Sequence, residues 1–171
     1  MIIFLLLTIC SASCIIESQA VSGINNGLQV SNKPELLEVY DLSDYYVKYI
    51  VHCQDDSGNV IGLFASIVNR QDPDRLIIKK SFGQIRGFCT KLNLFGELDS
   101  IRASYSPDTG TVSAISYRRD DNQRTFGALL SNFEEWNFNA TSRFIGFHGR
   151  IDEERITQLG VVVEYTNVTT A

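Results

Sequence analysis

Residues 142–149 read SRFIGFHG, and residues 156–165 read ITQLGVVVEY. β-Branched and aromatic residues dominate both stretches, which predicts two β-strands. Gly146 lies inside the first stretch, where a glycine usually marks a bulge or a close approach of two backbones. Gly149 ends that stretch and can take a positive φ without strain. We therefore expect two neighbouring antiparallel strands joined by an open loop over residues 149–157.

Short strand-like runs separated by turns continue toward the N-terminus of the chain. Polar and apolar residues alternate along residues 98–105, the period of two expected for a strand with one buried face. Further strands are predicted at residues 45–51, 60–68, 76–80, 111–117 and 124–127. Only residues 35–38 could start a helix, and it would be short. Many short strands in one domain predict an all-β sandwich, barrel or prism.

The closing stretch resembles the jacalin-type lectin family. In that family an apolar-Gly-Phe-x-Gly-Arg strand end, here residues 145–150, is followed by a short loop and a Leu/Ile-Asp-x-Ile-Gly-Val strand, here residues 156–161. Residues 94–165 carry this resemblance by motif, and residues 40–90 only by pattern. The resemblance implies a β-prism I of three four-stranded antiparallel sheets over residues 39–167. Strand patterns alone equally allow a β-sandwich.

The resemblance also implies a sugar-binding site at the rim loop. Backbone N–H groups and a carboxylate suit sugar hydroxyls, because a carboxylate accepts two hydroxyl hydrogen bonds with charge assistance. The family's sugar-binding Asp is replaced here by Thr157, and a threonine cannot accept in that way. One of the acidic residues 152–154 could supply the carboxylate, or this run is simply a solvated loop. The residues expected to bind the ligand are Gly149, Asp152, Glu154, Arg155, Thr157 and Asp41.

The N-terminus is typical of a secretory signal peptide, assigned here to residues 1–20. An apolar run over residues 1–10 is too short to span a bilayer and is followed by small residues. Cleavage after Cys14 or after Ala20 fits the spacing of small residues, and a buried N-terminal strand is the alternative interpretation. Residues 21–38 are predicted to be a polar lead-in. No later stretch is long and apolar enough to span a membrane, so we expect a secreted or extracellular protein.

The cysteines and sequons fit an oxidising compartment. Cys53 and Cys89 remain after removal of the leader and are predicted to form a disulfide. Two buried free thiols, or a metal site that includes His52, are the alternatives. Asn139-Ala140-Thr141 and Asn167-Val168-Thr169 are acceptor triplets for N-glycosylation.

Composition and missing motifs narrow the function. A formal net charge of −5 and a pI of about 5.0 argue against a nucleic-acid partner. A G-x-S-x-G nucleophile motif and a phosphate-binding glycine loop are absent, and neighbouring carboxylates on one loop rarely face each other across a cleft. We therefore expect no catalytic residues, cofactor or metal. The predicted function is a secreted carbohydrate-binding protein whose partners are glycans or glycoproteins, with the oligomeric state left open. The alternative is a structural or protein-interaction domain on the same scaffold that has lost sugar binding.

Overall fold

The chain is all-β in a computed structural model, which describes residues 14–18, 21–22, 28–31, 45–75, 81–94, 97–152 and 155–165. These residues form strands, turns and irregular connections. The strands are β1 (Cys14–Glu17), β2 (Val21–Ser22), β3 (Leu28–Ser31), β4 (Tyr45–Gln54), β5 (Val60–Asn69), β6 (Phe82–Gly83), β7 (Phe88–Asn93), β8 (Ser100–Ser106), β9 (Thr111–Arg119), β10 (Asn122–Gly127), β11 (Phe133–Asn137), β12 (Ser142–Asp152) and β13 (Arg155–Tyr165).

The strands form three antiparallel sheets. Sheet A has the order β1-β13-β12-β3, and the short β2 also pairs with β13. Sheet B has the order β6-β5-β4-β7, and sheet C has the order β10-β9-β8-β11. The prediction of four strands per sheet therefore holds for sheets B and C, whereas sheet A has a fifth short strand. Three sheets also differ from the two packed sheets of a β-sandwich.

One hydrophobic core joins the three sheets. Ile50 of sheet B, Ile101 and Ile115 of sheet C, and Phe147 of sheet A are completely buried in it. Alternate side chains along a strand point to opposite faces of the sheet, so each sheet turns one apolar row inward. Full burial of each such side chain stabilises the fold by roughly 1.5–3 kcal/mol.

The closing strands are neighbours, as predicted from the sequence. β12 pairs with β13 in antiparallel register from Ser142 opposite Tyr165 to Asp152 opposite Arg155. The register shifts between Phe144 and Gly146, which is the irregularity that a glycine inside this strand predicted.

The N-terminal segments differ from their predicted roles. β1 pairs with β13 although it lies inside the span assigned to the signal peptide, and Ser18 exchanges hydrogen bonds with Val161. β2 and β3 lie inside residues 21–38, which were predicted to be a lead-in outside the domain. They pair with β13 and β12 because those strands would otherwise present unpaired backbone groups. The leader itself is not tested by this pairing, since residues 1–13 lie outside the described residues.

The disulfide prediction can be compared with the structure, whereas two predicted segments lie outside the described residues. Cys53 and Cys89 form a disulfide that crosses directly from β4 to β7, so the disulfide prediction is confirmed against its two alternatives. The predicted strand at residues 76–80 and the possible helix at residues 35–38 lie outside the described residues. In the part of the chain that is described, no helix has the length and apolar character needed to cross a membrane.

Candidate functional site

In its described residues the predicted rim loop is a hairpin, with a register shift at Thr157 between the pairs Arg150–Gln158 and Ile151–Ile156. Gly149 pairs with Leu159 and Arg150 pairs with Gln158, so the ladder runs through the residues expected to be open. Gly149 has a φ of 150°, and a Cβ there would stand 2.0 Å from the carbonyl oxygen of Gln158. The glycine is needed because two backbones approach closely, and it does not end the strand as expected.

Thr157 is turned into the protein. Its side chain is buried, with 5% of its surface exposed, and its hydroxyl donates to the carbonyl oxygen of Arg150 at 3.3 Å. Asp152 and Arg155 form the last described pair of the hairpin. Asp41 and Glu154, the other two predicted ligand-binding residues, lie outside the described residues.

Arg155 is the predicted residue that lines a cleft. This cleft, called here the upper cleft, lies where the hairpin of sheet A meets the β4–β5 turn and the β6–β7 connection of sheet B. Its volume is about 310 Å³. The described residues that line it are Asp55, Asp56, Ile61, Arg86, Gly87 and Arg155.

The β4–β5 turn is built around Asp55. One carboxylate oxygen of Asp55 accepts hydrogen bonds from the backbone N–H groups of Ser57 and Asn59, both at 2.9 Å. The Asn59 amide donates to the other oxygen at 3.1 Å. Aspartate commonly closes turns in this way, with its side chain replacing a backbone acceptor. The carboxylate thus holds the turn in shape and leaves the exposed Asp56 as its neighbour in the cleft.

The pKa of Asp55 is lowered from its ordinary value. Burial acts to raise the pKa, but the hydrogen bonds from Asn59 and Ser57 and the positive charge of Arg155 together outweigh burial. The influence of Arg155 on Asp55 links the two hairpins electrostatically. The ionised form of the carboxyl is therefore the one that the folded cleft favours.

The β6–β7 connection supplies the opposite wall of the upper cleft. Gly87 has a φ of 75°, and a Cβ there would stand 2.4 Å from the carbonyl oxygen of Gln54. This contact brings the connection against the end of β4. Ile85 and Phe88 flank the cleft residues Arg86 and Gly87, and 71% of the Phe88 side chain is exposed. The disulfide stands directly beside this wall, because Cys53–Cys89 and Gln54–Phe88 are successive pairs of the ladder.

The upper cleft combines groups that suit a polyhydroxylated ligand. Arg86 and Arg155 are hydrogen-bond donors, Asp56 is an acceptor, and the exposed Ile85 and Phe88 are the chain neighbours of the lining residues Arg86 and Gly87. Asp55, Asp56, Arg86 and Gly87 were not among the residues predicted from the sequence to bind a ligand. No local motif marks these residues, because Asp55 and Arg155 are far apart in the sequence and come together only in the folded protein.

Both histidines lie away from the upper cleft. His148 is buried, and its ring lies across Gly160, the residue paired with it. His52 is also buried, with its ring centroid 3.7 Å from that of Phe126. Burial lowers the pKa of His52, and contacts with the Gln54 side chain and the Thr90 backbone only partly oppose this. Neither histidine is placed to act on a ligand in the upper cleft.

The first sequon lies on an exposed turn between β11 and β12. Asn139 is exposed, and its side-chain oxygen accepts hydrogen bonds at 2.9 Å from both the backbone N–H and the hydroxyl of Thr141. The second sequon begins at Asn167, which lies outside the described residues.

Solved structures similar to this fold share one architecture. A lectin from Malaysian banana superposes with a TM-score of 0.66 at 14% identity, covering 88% of this chain and 98% of that one. A mannose-binding jacalin-related lectin from Ananas comosus gives 0.62 at 14% identity, with 87% and 96% covered. A mannose-specific jacalin-related lectin from Morus nigra gives 0.64 at 10% identity, with 86% and 93% covered.

Comparison by sequence is less informative than comparison by structure. No family model and no curated protein matches the chain. The fold is nevertheless shared along nearly the whole length of the lectins named above, and the residue motifs of the closing strands point to the same group. The chain therefore contains a domain with the fold of the jacalin-related lectins.

Proposed function

We propose that the protein is a secreted, non-catalytic carbohydrate-binding protein whose ligand binds in the upper cleft. The observation that carries the proposal is the meeting of three segments at one cleft, namely the β4–β5 turn, the residues Arg86 and Gly87, and Arg155. Similar folds include lectins described as mannose-binding and mannose-specific, which favours a glycan as the ligand.

Each part of the upper cleft has a role in this proposal. The guanidinium groups of Arg86 and Arg155 donate to sugar hydroxyls, and Asp56 accepts from them with charge assistance. Asp55 does not bind the sugar, because its oxygens already hold the turn. The exposed ring of Phe88 offers an apolar surface for the C–H face of a pyranose.

A glycan array with the full chain tests the proposal, with and without calcium. We expect binding to a restricted set of glycans in wild type. Arg155→Ala should weaken binding about tenfold, the effect of losing one charge-assisted hydrogen bond. Arg150→Ala is the matched control, because this arginine lies on the same hairpin but does not line the upper cleft among the described residues. An equal loss in both variants would contradict the assignment of the cleft.

A second function has one observation in its favour. Thr157 stands where the jacalin-type motif has its sugar-binding Asp, and its hydroxyl is turned toward Arg150. This favours a structural or protein-interaction domain that has lost sugar binding. The absence of any bound glycan above background in the wild-type array would support this second function and remove the first.

Secretion and glycosylation belong to the same proposal. A leader cleaved after Cys14 leaves residues 15–17 of β1 paired with β13, whereas cleavage after Ala20 removes that strand. We therefore expect the secreted protein to begin at Ile15, and N-terminal sequencing checks this.

Asn139 lies on an exposed turn suitable for a glycan, and Asn167 is the second acceptor. Enzymatic removal of N-glycans should lower the mass of the secreted protein, and Asn139→Gln should remove part of that difference.

A further inference from the structure

A second cavity lies at the other end of sheet B. It is called here the lower cavity, and its volume is about 330 Å³, within the usual range for small-molecule sites. The upper cleft begins after the last residue of β4, and the lower cavity begins at the second residue of the same strand. Nine residues of extended strand separate them by about 30 Å. The residues that line the lower cavity are Tyr46, Val47, Arg70, Leu94, Glu97, Leu98 and Phe144.

The polar side of the lower cavity is an ordered group of three side chains. The guanidinium of Arg70 lies over the ring of Tyr46, 5.2 Å from the ring centroid. The same guanidinium lies 3.7 Å from the carboxylate of Glu97. An aromatic ring and an ion partner both limit the positions open to the arginine. A hydrogen-bond donor and an acceptor are thereby presented side by side at the cavity.

The other side of the lower cavity is apolar. Val47, Leu98 and Phe144 are buried residues of the core, and Leu94 packs against them. They come from sheets A and B and from the segment that leads into sheet C, so the cavity lies where the three sheets converge. An apolar wall opposite a donor–acceptor pair fits a ligand with one hydrophobic and one hydroxylated side.

Charge at this end of the molecule is balanced. Arg70 is paired with Glu97, Lys48 with Asp74 at 3.7 Å, and Arg143 with the buried Glu164. Arg143 also donates to the carbonyl oxygen of Tyr45, at the start of β4. Among the described residues, each of these three pairs is close to neutral, so the six side chains give little preference for an anion or a cation. A neutral ligand fits this surface better than a charged one.

From these observations we infer that the lower cavity is a second saccharide site, which binds one neutral pyranose ring. The C–H face of the ring packs on the apolar wall, and two neighbouring hydroxyls bridge Arg70 and Glu97. One hydroxyl accepts from the guanidinium, and the other donates to the carboxylate. With sites about 30 Å apart at opposite ends of β4, a single chain could bridge two glycans.

Amide chemical shifts of the isotopically labelled full chain test this site separately from the upper cleft. The probes are the methyl glycosides of mannose, galactose and N-acetylglucosamine, each titrated at millimolar concentration. We expect at least one probe to shift the amides of Arg70, Leu94 and Leu98. Shifts confined to the amides near Asp55 and Gly87 would overturn the second site and leave the upper cleft standing. No shift at either place would overturn both.

Variants distinguish binding from a general structural effect. Arg70→Ala and Glu97→Gln should each raise Kd at the lower cavity about tenfold, with the shifts near Gly87 unchanged. Tyr46→Phe keeps the ring and should bind as wild type does. Lys48→Ala is the matched control, because its ion pair with Asp74 lies at the same end but outside the cavity lining. An unchanged Kd in both Arg70→Ala and Glu97→Gln, each with a wild-type-like spectrum, would overturn the assignment.

Discussion

Two hairpins meet at the upper cleft, and they contribute to it in different ways. The β12–β13 hairpin keeps its backbone ladder to its last described pair and turns Thr157 inward. The β4–β5 hairpin ends instead in a turn held by the carboxylate of Asp55, with Asp56 exposed beside it. The hairpin with the family motif therefore supplies scaffold and Arg155, whereas the hairpin without a motif supplies Asp55 and Asp56.

The difference between the hairpins shows how a shared fold can keep its frame while its site changes. Gly149 is fixed by the close approach of two backbones, which any sequence on this frame must allow. The side chain at position 157 is under no similar steric constraint. Its hydroxyl is accommodated there by a hydrogen bond to the carbonyl oxygen of Arg150. The predictions that follow test this division between scaffold and site.

Loss of the disulfide, which joins β4 of the β4–β5 hairpin to β7, should have the largest effect. Replacing Cys53 and Cys89 together by Ala removes a link that closes a 36-residue loop. We expect the free energy of unfolding to fall by about 4 kcal/mol. Chemical denaturation of the oxidised wild type and of the double variant measures this. A difference below about 1 kcal/mol would show that the link contributes little to the stability of the fold.

Gly149→Ala should have the next largest effect, on the β12–β13 side. The added Cβ would meet the carbonyl oxygen of Gln158 at 2.0 Å, and the backbone conformation is unfavourable for alanine. The expected loss is about 3 kcal/mol in unfolding free energy. Gly58→Ala is the matched control, because Gly58 also has a positive φ but has open space around it. It should cost about 1 kcal/mol, and equal losses would refute the close-approach argument.

Asp55→Asn should produce a smaller and pH-dependent loss. Because the pKa of Asp55 is lowered in the folded state, its stabilising contribution is present above the ordinary carboxyl pKa. The contribution is lost as the pH falls through the lowered value. We expect about 1 kcal/mol at neutral pH and a progressively smaller difference as the pH falls below the ordinary carboxyl pKa, measured by urea unfolding. Asp56→Asn, which changes an exposed neighbour, should show neither effect; a matching loss there would remove Asp55 from its role.

Thr157→Val should have the smallest effect. The hydroxyl donates to Arg150 inside the hairpin, so we expect the Kd for a bound glycan to stay within about twofold of wild type. Isothermal titration with a glycan found on the array measures it. A large loss of binding would mean that position 157 contacts the ligand after all, and the two hairpins would then share the site equally.

The central strands could be predicted from the sequence because burial leaves a regular pattern. Alternation along residues 98–105 and 111–117 corresponds to β8 and β9, whose inner residues reach the core. Two of the edge strands leave no such pattern. Most of β7 and β11 is exposed, and neither was predicted. These two strands are held by backbone pairing with a neighbouring strand. The sequence of one segment does not show which other segment it pairs with.

The candidate site was less predictable than the fold. Arg155, which belongs to the predicted ligand-binding residues, lies in the last described pair of the hairpin and lines the upper cleft. The closing-strand motif could not indicate Asp55 or Arg86, because these residues join Arg155 only through the packing of sheets A and B. The open loop was also a motif-based expectation, and the ladder between Arg150 and Gln158 replaces it.

The pairing of β1 with β13 has a consequence for the order of assembly. The first described strand can pair only after the last one has been synthesised, because Cys14 lies opposite Tyr165. Sheets B and C are made of strands close together in the chain, whereas sheet A joins segments separated by more than a hundred residues. Contacts between distant segments form slowly. On a ribosome the two local sheets can begin to pair early, while sheet A stays incomplete until translation has passed residue 165.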